Sequence, residues 1–170
     1  MASLICGSIA YDTIMNFEGR FQDQILPDQI HILNVAFLVP SMRREFGGCA
    51  GNIAYSLKIL GGTPLPMATL GTDGADYLAR LAHLGISSEF VRSVSDTYTA
   101  QAMIMTDKDN NQITAFHPGA MMQAHKTKIE KRADIQLGII SPDGRDAMLE
   151  HAEQFKHADI PFVFDPGQGL

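Results

Sequence analysis

Gly47, Gly48 and Gly51, followed at once by a helical apolar stripe, leave residues 46–60 few ways to fold. The segment reads Phe46-Gly47-Gly48-Cys49-Ala50-Gly51-Asn52-Ile53-Ala54-Tyr55-Ser56-Leu57-Lys58-Ile59-Leu60. Ile53, Ala54, Leu57 and Leu60 repeat at the spacing of one buried helical face, which predicts a helix over 52–60. The glycines permit positive φ and close approach to the backbone. The start of the helix leaves amides unpaired and aimed outward. Asn52 offers both a donor and an acceptor, which suits a polyhydroxylated ligand. It also suits a plain N-cap after a tight glycine turn.

The rest of the chain alternates short apolar runs with amphipathic stretches. Strands are predicted over 4–8, 66–70, 135–140 and 162–165, with a short extended stretch at 89–91. Helices are predicted over 73–84 and 143–156, the second opened by Ser141-Pro142-Asp143 with proline at its first position. This order implies an α/β fold, a doubly wound and mainly parallel sheet with helices on both faces. Two stretches interrupt it. Residues 13–40 lack a helical period but contain His31-Ile32-Leu33-Asn34-Val35-Ala36-Phe37-Leu38-Val39, read as a strand apolar on both faces. Residues 101–118 read as a hairpin, with Met103-Ile104-Met105 and 113–116 flanking a polar turn. Together they predict a small β lid.

Composition narrows the partners. At 170 residues, 45% hydrophobic and 19% charged, the chain has the profile of one ordinary globular domain. A net charge of −6 argues against nucleic acid, whose phosphates select basic patches. No run has the apolar length of a membrane helix, and no basic residue precedes Arg20, against a secretory signal. Cys6 and Cys49, one in a predicted strand and one in the glycine turn, suit a reducing compartment, the cytoplasm. Asp107-x-Asp109-x-Asn111 begins like a calcium loop but has Gln112 in place of its glycine and Pro118 in place of its glutamate, so it reads as a hairpin turn. There is neither a P-loop nor a dinucleotide fingerprint.

Gly7-Ser8-Ile9-Ala10-Tyr11-Asp12 puts a carboxylate just beyond the first strand, where open α/β sheets bind ligands. With the turn at 47–52, it resembles the ribokinase-like (PfkB) family of carbohydrate and nucleoside kinases. Leu70-Gly71-Thr72-Asp73-Gly74 is similar to that family's Gly-x-Asp segment. The hairpin ending Phe116-His117-Pro118-Gly119-Ala120 looks most like its bacterial adenosine-kinase branch. The resemblance covers most of the chain and implies one N-terminal portion, residues 1–170, with lid segments 13–40 and 101–118.

The resemblance also implies roles. Asp12 and Asn52 would bind sugar hydroxyls, and Gly47 and Gly48 would let the ring approach. Ser8 and Gln101 would add polar contacts, and Phe116 would stack on a base. The substrate would be a nucleoside, adenosine first, or a sugar. ATP would be the co-substrate and Mg2+ its companion. Cys49-Ala50 stands where many sugar kinases of the family carry a lysine, which favours a nucleoside. The family's Gly-Ala-Gly-Asp element, with the general base and anion hole, does not occur in the sequence. The base is therefore expected beyond Leu170, and the 170-residue chain is expected to be inactive by itself. A ribokinase, another sugar kinase and a non-catalytic ligand-binding module remain the alternatives. The lid strands leave room for a homodimer.

Overall fold

A computed structural model of the chain describes residues 2–167. The loop expected over 168–170 lies outside the described residues. Five parallel strands form the central sheet: β1 (Ala2–Cys6), β4 (Thr63–Leu70), β5 (Val91–Ser93), β8 (Ile135–Ile140) and β9 (Phe162–Phe164), in the order β5-β4-β1-β8-β9. Successive side chains of a strand point to opposite faces, and β1 divides accordingly. Ile5 packs with Ala68 and Leu70 against helices α1 (Cys49–Ile59) and α2 (Ala75–His83), through Ala50, Ala54, Tyr77 and Leu81. Leu4 and Cys6 pack with Met67 and Ile140 against α3 (Arg145–Ala158), through Met148 and Phe155. Leu4, Ile5 and Cys6 are all buried, as a central strand covered on both faces requires. The fold is thus the doubly wound α/β arrangement expected.

A second sheet joins β2 (Ala10–Asn16), β3 (Ser41–Gly47), β6 (Ala100–Thr106) and β7 (Gln112–His117) in the order β3-β2-β6-β7. β2 pairs parallel to β6, and the two outer pairings are antiparallel. The hairpin expected between 101 and 118 is β6–β7. The strand expected over 31–39 does not form. Pro27–Ile32 is a 3-10 turn and residues 33–40 have no regular structure. Both edges of β2 are already filled by β3 and β6, so no place beside it remains for that run. Phe37 is anchored edge-on to Phe17 and Phe21, with ring centres 5.0 and 5.2 Å away, and Val35 and Val39 are partly buried, while Leu38 stays 87% exposed.

The polar turn at Asp107 is held by its own backbone. The Asp107 carboxylate accepts hydrogen bonds from the amides of Phe21, Asp109 and Asn111 and from the Asn111 side chain. Burial works to raise this carboxyl, but those bonds outweigh it and hold it below the usual carboxylate range. Its lone pairs are spent on closing the loop, as the hairpin reading requires.

Helix ends also differ from expectation. α1 begins at Cys49 rather than Asn52, and Leu60, expected on its buried face, is 83% exposed beyond its end. α3 begins after Gly144, so Pro142 precedes the helix instead of opening it.

Candidate functional site

The connections from β1 lead toward β4 on one side, while β8 and α3 lead to β9 on the other. The carboxyl ends of β1 and β8 therefore flank a topological switch point, where open α/β sheets bind ligands. Several loops are knotted together there. Ser141 donates its amide (2.8 Å) and its hydroxyl (3.1 Å) to the Cys6 carbonyl. The Ser8 amide donates to the Pro142 carbonyl at 3.1 Å, and the Asp165 amide to the Ile140 carbonyl at 2.8 Å.

Ser8 also caps α1. Its Oγ accepts the Cys49 amide at 3.1 Å and its carbonyl accepts the Ala50 amide at 2.9 Å. The first helical amides, expected to point outward unpaired, are therefore already paired at these two positions. The glycines serve the chain itself. A Cβ on Gly47 would lie 2.3 Å from Asp12 Oδ2, so the missing side chain is the space the carboxylate occupies. Gly48 has φ 89° and passes so close to the β1–β2 loop that a Cβ would lie 2.6 Å from Ile9 Cα, Ala10 N and the Ser8 carbonyl. Gly48→Ala combines left-handed strain with a backbone clash and is expected to destabilise the chain by about 1–3 kcal/mol. Urea denaturation followed by circular dichroism checks this, and an unchanged midpoint would contradict the contact.

Asp12 stands within β2 rather than in the loop after β1. Its register partners run in one row across the second sheet, from Glu45 through Asp12 and Ala102 to Phe116. Directly paired residues share a face, so Asp12 and Phe116 lie on the same side, two strands apart. Ile14 and Ile104 occupy the next row on that face. Periodicity gave no sign of this row, because only the register brings these strands together. Phe116 is 53% exposed. Partial burial raises the Asp12 carboxyl above its ordinary value. Asn52 is exposed on the first turn of α1 and donates its amide to the Gly48 carbonyl at 3.0 Å.

Gln101 is not brought into that row. It pairs with Tyr11 and His117 on the opposite face, and its Nε2 donates to Asp73 Oδ2 at 3.1 Å. A cleft of about 590 Å³ lies on that opposite face, between Arg44, Asp73, Gln101 and His117.

Asp143 is a residue that motif reading passed over except as a helix start. Burial pushes its carboxyl up to about 7, against the pull of the Gly144 amide. Its Oδ2 is buried with no hydrogen-bond partner among the described residues. The Cys49 thiol is raised first by burial; the Ser8 hydrogen bond opposes this, and Asp165, Asp143 and Asp12 add to it. Three carboxylates thus surround the glycine turn. Arg44, on β3, is committed to Asp73 at 3.0 Å. Carboxyl groups of this kind accept hydrogen bonds from hydroxyl donors. No group of three or more His, Cys, Asp or Glu among the described residues is placed to hold a metal ion. No described helix is long and apolar enough to cross a membrane.

A parallel sheet wound in both directions, with a small sheet standing at its carboxyl edge, is the ribokinase-like architecture. A ribokinase of Cryptococcus neoformans var. grubii shares it at a TM-score of 0.74 and 18% identity, over 99% of this chain and 50% of that one. Residues 9–168 match the pfkB family carbohydrate kinase, and the chain belongs to that family. It is 30% identical to a nucleoside kinase of Methanocaldococcus jannaschii, over 100% of this chain and 53% of that protein. Against the structure of Burkholderia thailandensis nucleoside kinase in complex with inosine it has 59% identity and a TM-score of 0.84, over 99% of this chain and 53% of the other. The same enzyme is also known in complex with ADP-inosine. The chain spans about half the length of the relatives it matches.

Proposed function

We propose that this chain is the substrate-binding N-terminal portion of an ATP-dependent nucleoside kinase, transferring a phosphoryl group to a hydroxyl of a ribosyl substrate. The observation that carries this reading is the row joining Asp12 to Phe116 across the second sheet, which acts as a lid. A carboxylate that accepts from sugar hydroxyls and an aromatic face that stacks on a base share one side of it. Gly47 leaves room for the Asp12 carboxylate, and Asn52 offers a further hydroxyl partner from α1. Adenosine and inosine are the substrates this supports first. ATP as the phosphoryl donor accords with the ADP-inosine complex of the Burkholderia enzyme. The donor site and its neutralising charges would belong to the remainder of the kinase. A cytoplasmic setting accords with the two free thiols, Cys6 and Cys49. The exposed edge strands β3 and β7 leave a surface for a homodimer.

Coupled ADP release tests the reading. The complete kinase is expected to turn over adenosine and inosine with higher kcat/KM than free ribose, and the 170-residue chain to show no turnover. Preference for ribose, or turnover by the short chain that Asp12→Ala removes, would overturn it.

A further inference from the structure

Asp73 precedes α2, outside the second sheet, yet it grips that sheet on three strands. Its carboxylate accepts the Thr99 amide at 2.8 Å, Arg44 Nη2 at 3.0 Å and Gln101 Nε2 at 3.1 Å. Its carbonyl accepts the Tyr11 hydroxyl at 3.1 Å. Tyr11 belongs to β2, Arg44 to β3 and Gln101 to β6, with Thr99 just before β6. The Arg44 guanidinium carbon lies over the Tyr11 ring, 3.5 Å from its centre, a cation–π contact at the same corner. Partial burial works to raise the Asp73 carboxyl, but the Thr99 hydrogen bonds and Arg44 outweigh it and keep it below the usual carboxylate range. The corner therefore holds a charged, multiply bonded carboxylate, the strong form of a hydrogen-bonded junction.

The bonds sit on the face of the sheet opposite Asp12. Gln101 and Tyr11 alternate along their strands with Ala102 and Asp12, so a tilt that lengthens the first set moves the second. We propose that Asp73 is a positioning residue for the ribosyl site: it fixes the angle of the second sheet on the core, and through it the placement of Asp12 and Phe116 over the start of α1. This rests on the reading given under Proposed function.

The test uses the complete kinase. Asp73→Ala is expected to raise the nucleoside KM about tenfold or more and to leave the ATP KM within about twofold. Asp73→Asn, which keeps an acceptor for the Thr99 amide, is expected to fall between. Hydrogen exchange supplies a readout independent of activity, with faster exchange expected at the amides of β2 and β6. If Asp73→Ala does not fold, the double variant Arg44→Ala/Gln101→Ala removes two of the same bonds from the other side and is read instead. Unchanged exchange in β2 and β6 overturns the proposal, as does an equal rise in both KM values. If Asp12→Ala also leaves the nucleoside KM unchanged, the functional reading fails while exchange still reports on Asp73.

Discussion

The stability that wild type has over Asp143→Asn is expected to fall as the pH rises from about 4 to about 8. The cause is a carboxyl held at the start of α3 in unfavourable surroundings. Asp143 Oδ1 accepts the Gly144 amide at 2.9 Å, while Oδ2 is buried with no partner among the described residues. Burial pushes the folded carboxyl up to about 7, whereas the unfolded chain titrates near about 4. Between those values the native state keeps a proton that the unfolded state has lost. The contribution is therefore fully present below the unfolded value and is lost as pH rises through the folded one. A shift of about three units corresponds to about 4 kcal/mol. Asp73, Asp107, Asp134 and Glu150 are held below their ordinary values and act in the opposite sense, losing stability as pH falls. The buried His151, pushed down by burial, also loses stability toward acid. The comparison must therefore be between wild type and Asp143→Asn at each pH, by urea denaturation. Parallel stability curves for the two proteins would show that Asp143 is not the titrating group.

The inner strands of the central sheet, β1, β4 and β8, were legible because they are short, apolar and largely buried. The strand at Ile135–Ile140 coincides with expectation, and the one from Phe162 differs only at its end. The second sheet was half legible. The β6–β7 hairpin shows itself as two apolar runs around a polar turn, but Ser41–Gly47 carries Arg43, Arg44 and Glu45 on an exposed edge and gives no hydrophobic signal. The run over 31–39 is the converse, with apolar residues that pair with no strand of either sheet. In the glycine turn the positions stood out, but their partners did not. Asp12 fills the space at Gly47, and the Ser8–Ala10 backbone fills that at Gly48. A sequence shows that a Cβ is missing and not what occupies its place. Asp73 and Asp143 were harder still, since their importance lies in bonds made or left unmade across distant segments.

Replacing Asp12 by alanine in the complete kinase is expected to lower kcat/KM for the nucleoside about 100-fold or more. A hydrogen bond to a charged group contributes about 1.5–3 kcal/mol, and a carboxylate facing a ribose can accept more than one. Loss of Asp12 would leave those hydroxyls desolvated without a partner. Part of the loss is expected in kcat, because the same bonds orient the hydroxyl that attacks the phosphoryl group. Asp12→Asn keeps one acceptor in the same shape and is expected to fall between wild type and alanine. Asn52→Ala, which removes a neutral partner on α1, is expected to cost about tenfold. The wild-type fold has to survive for these comparisons to hold, and position 12 favours that. Asp12 is only partly buried, and its side chain occupies the notch left by Gly47 without packing in either core cluster. Steady-state kinetics with adenosine and inosine, alongside circular dichroism, separate binding from folding. Near-wild-type kcat/KM in both Asp12→Ala and Asn52→Ala would place the sugar elsewhere. A loss confined to the ATP KM would move Asp12 from the acceptor side of the reaction to the donor side.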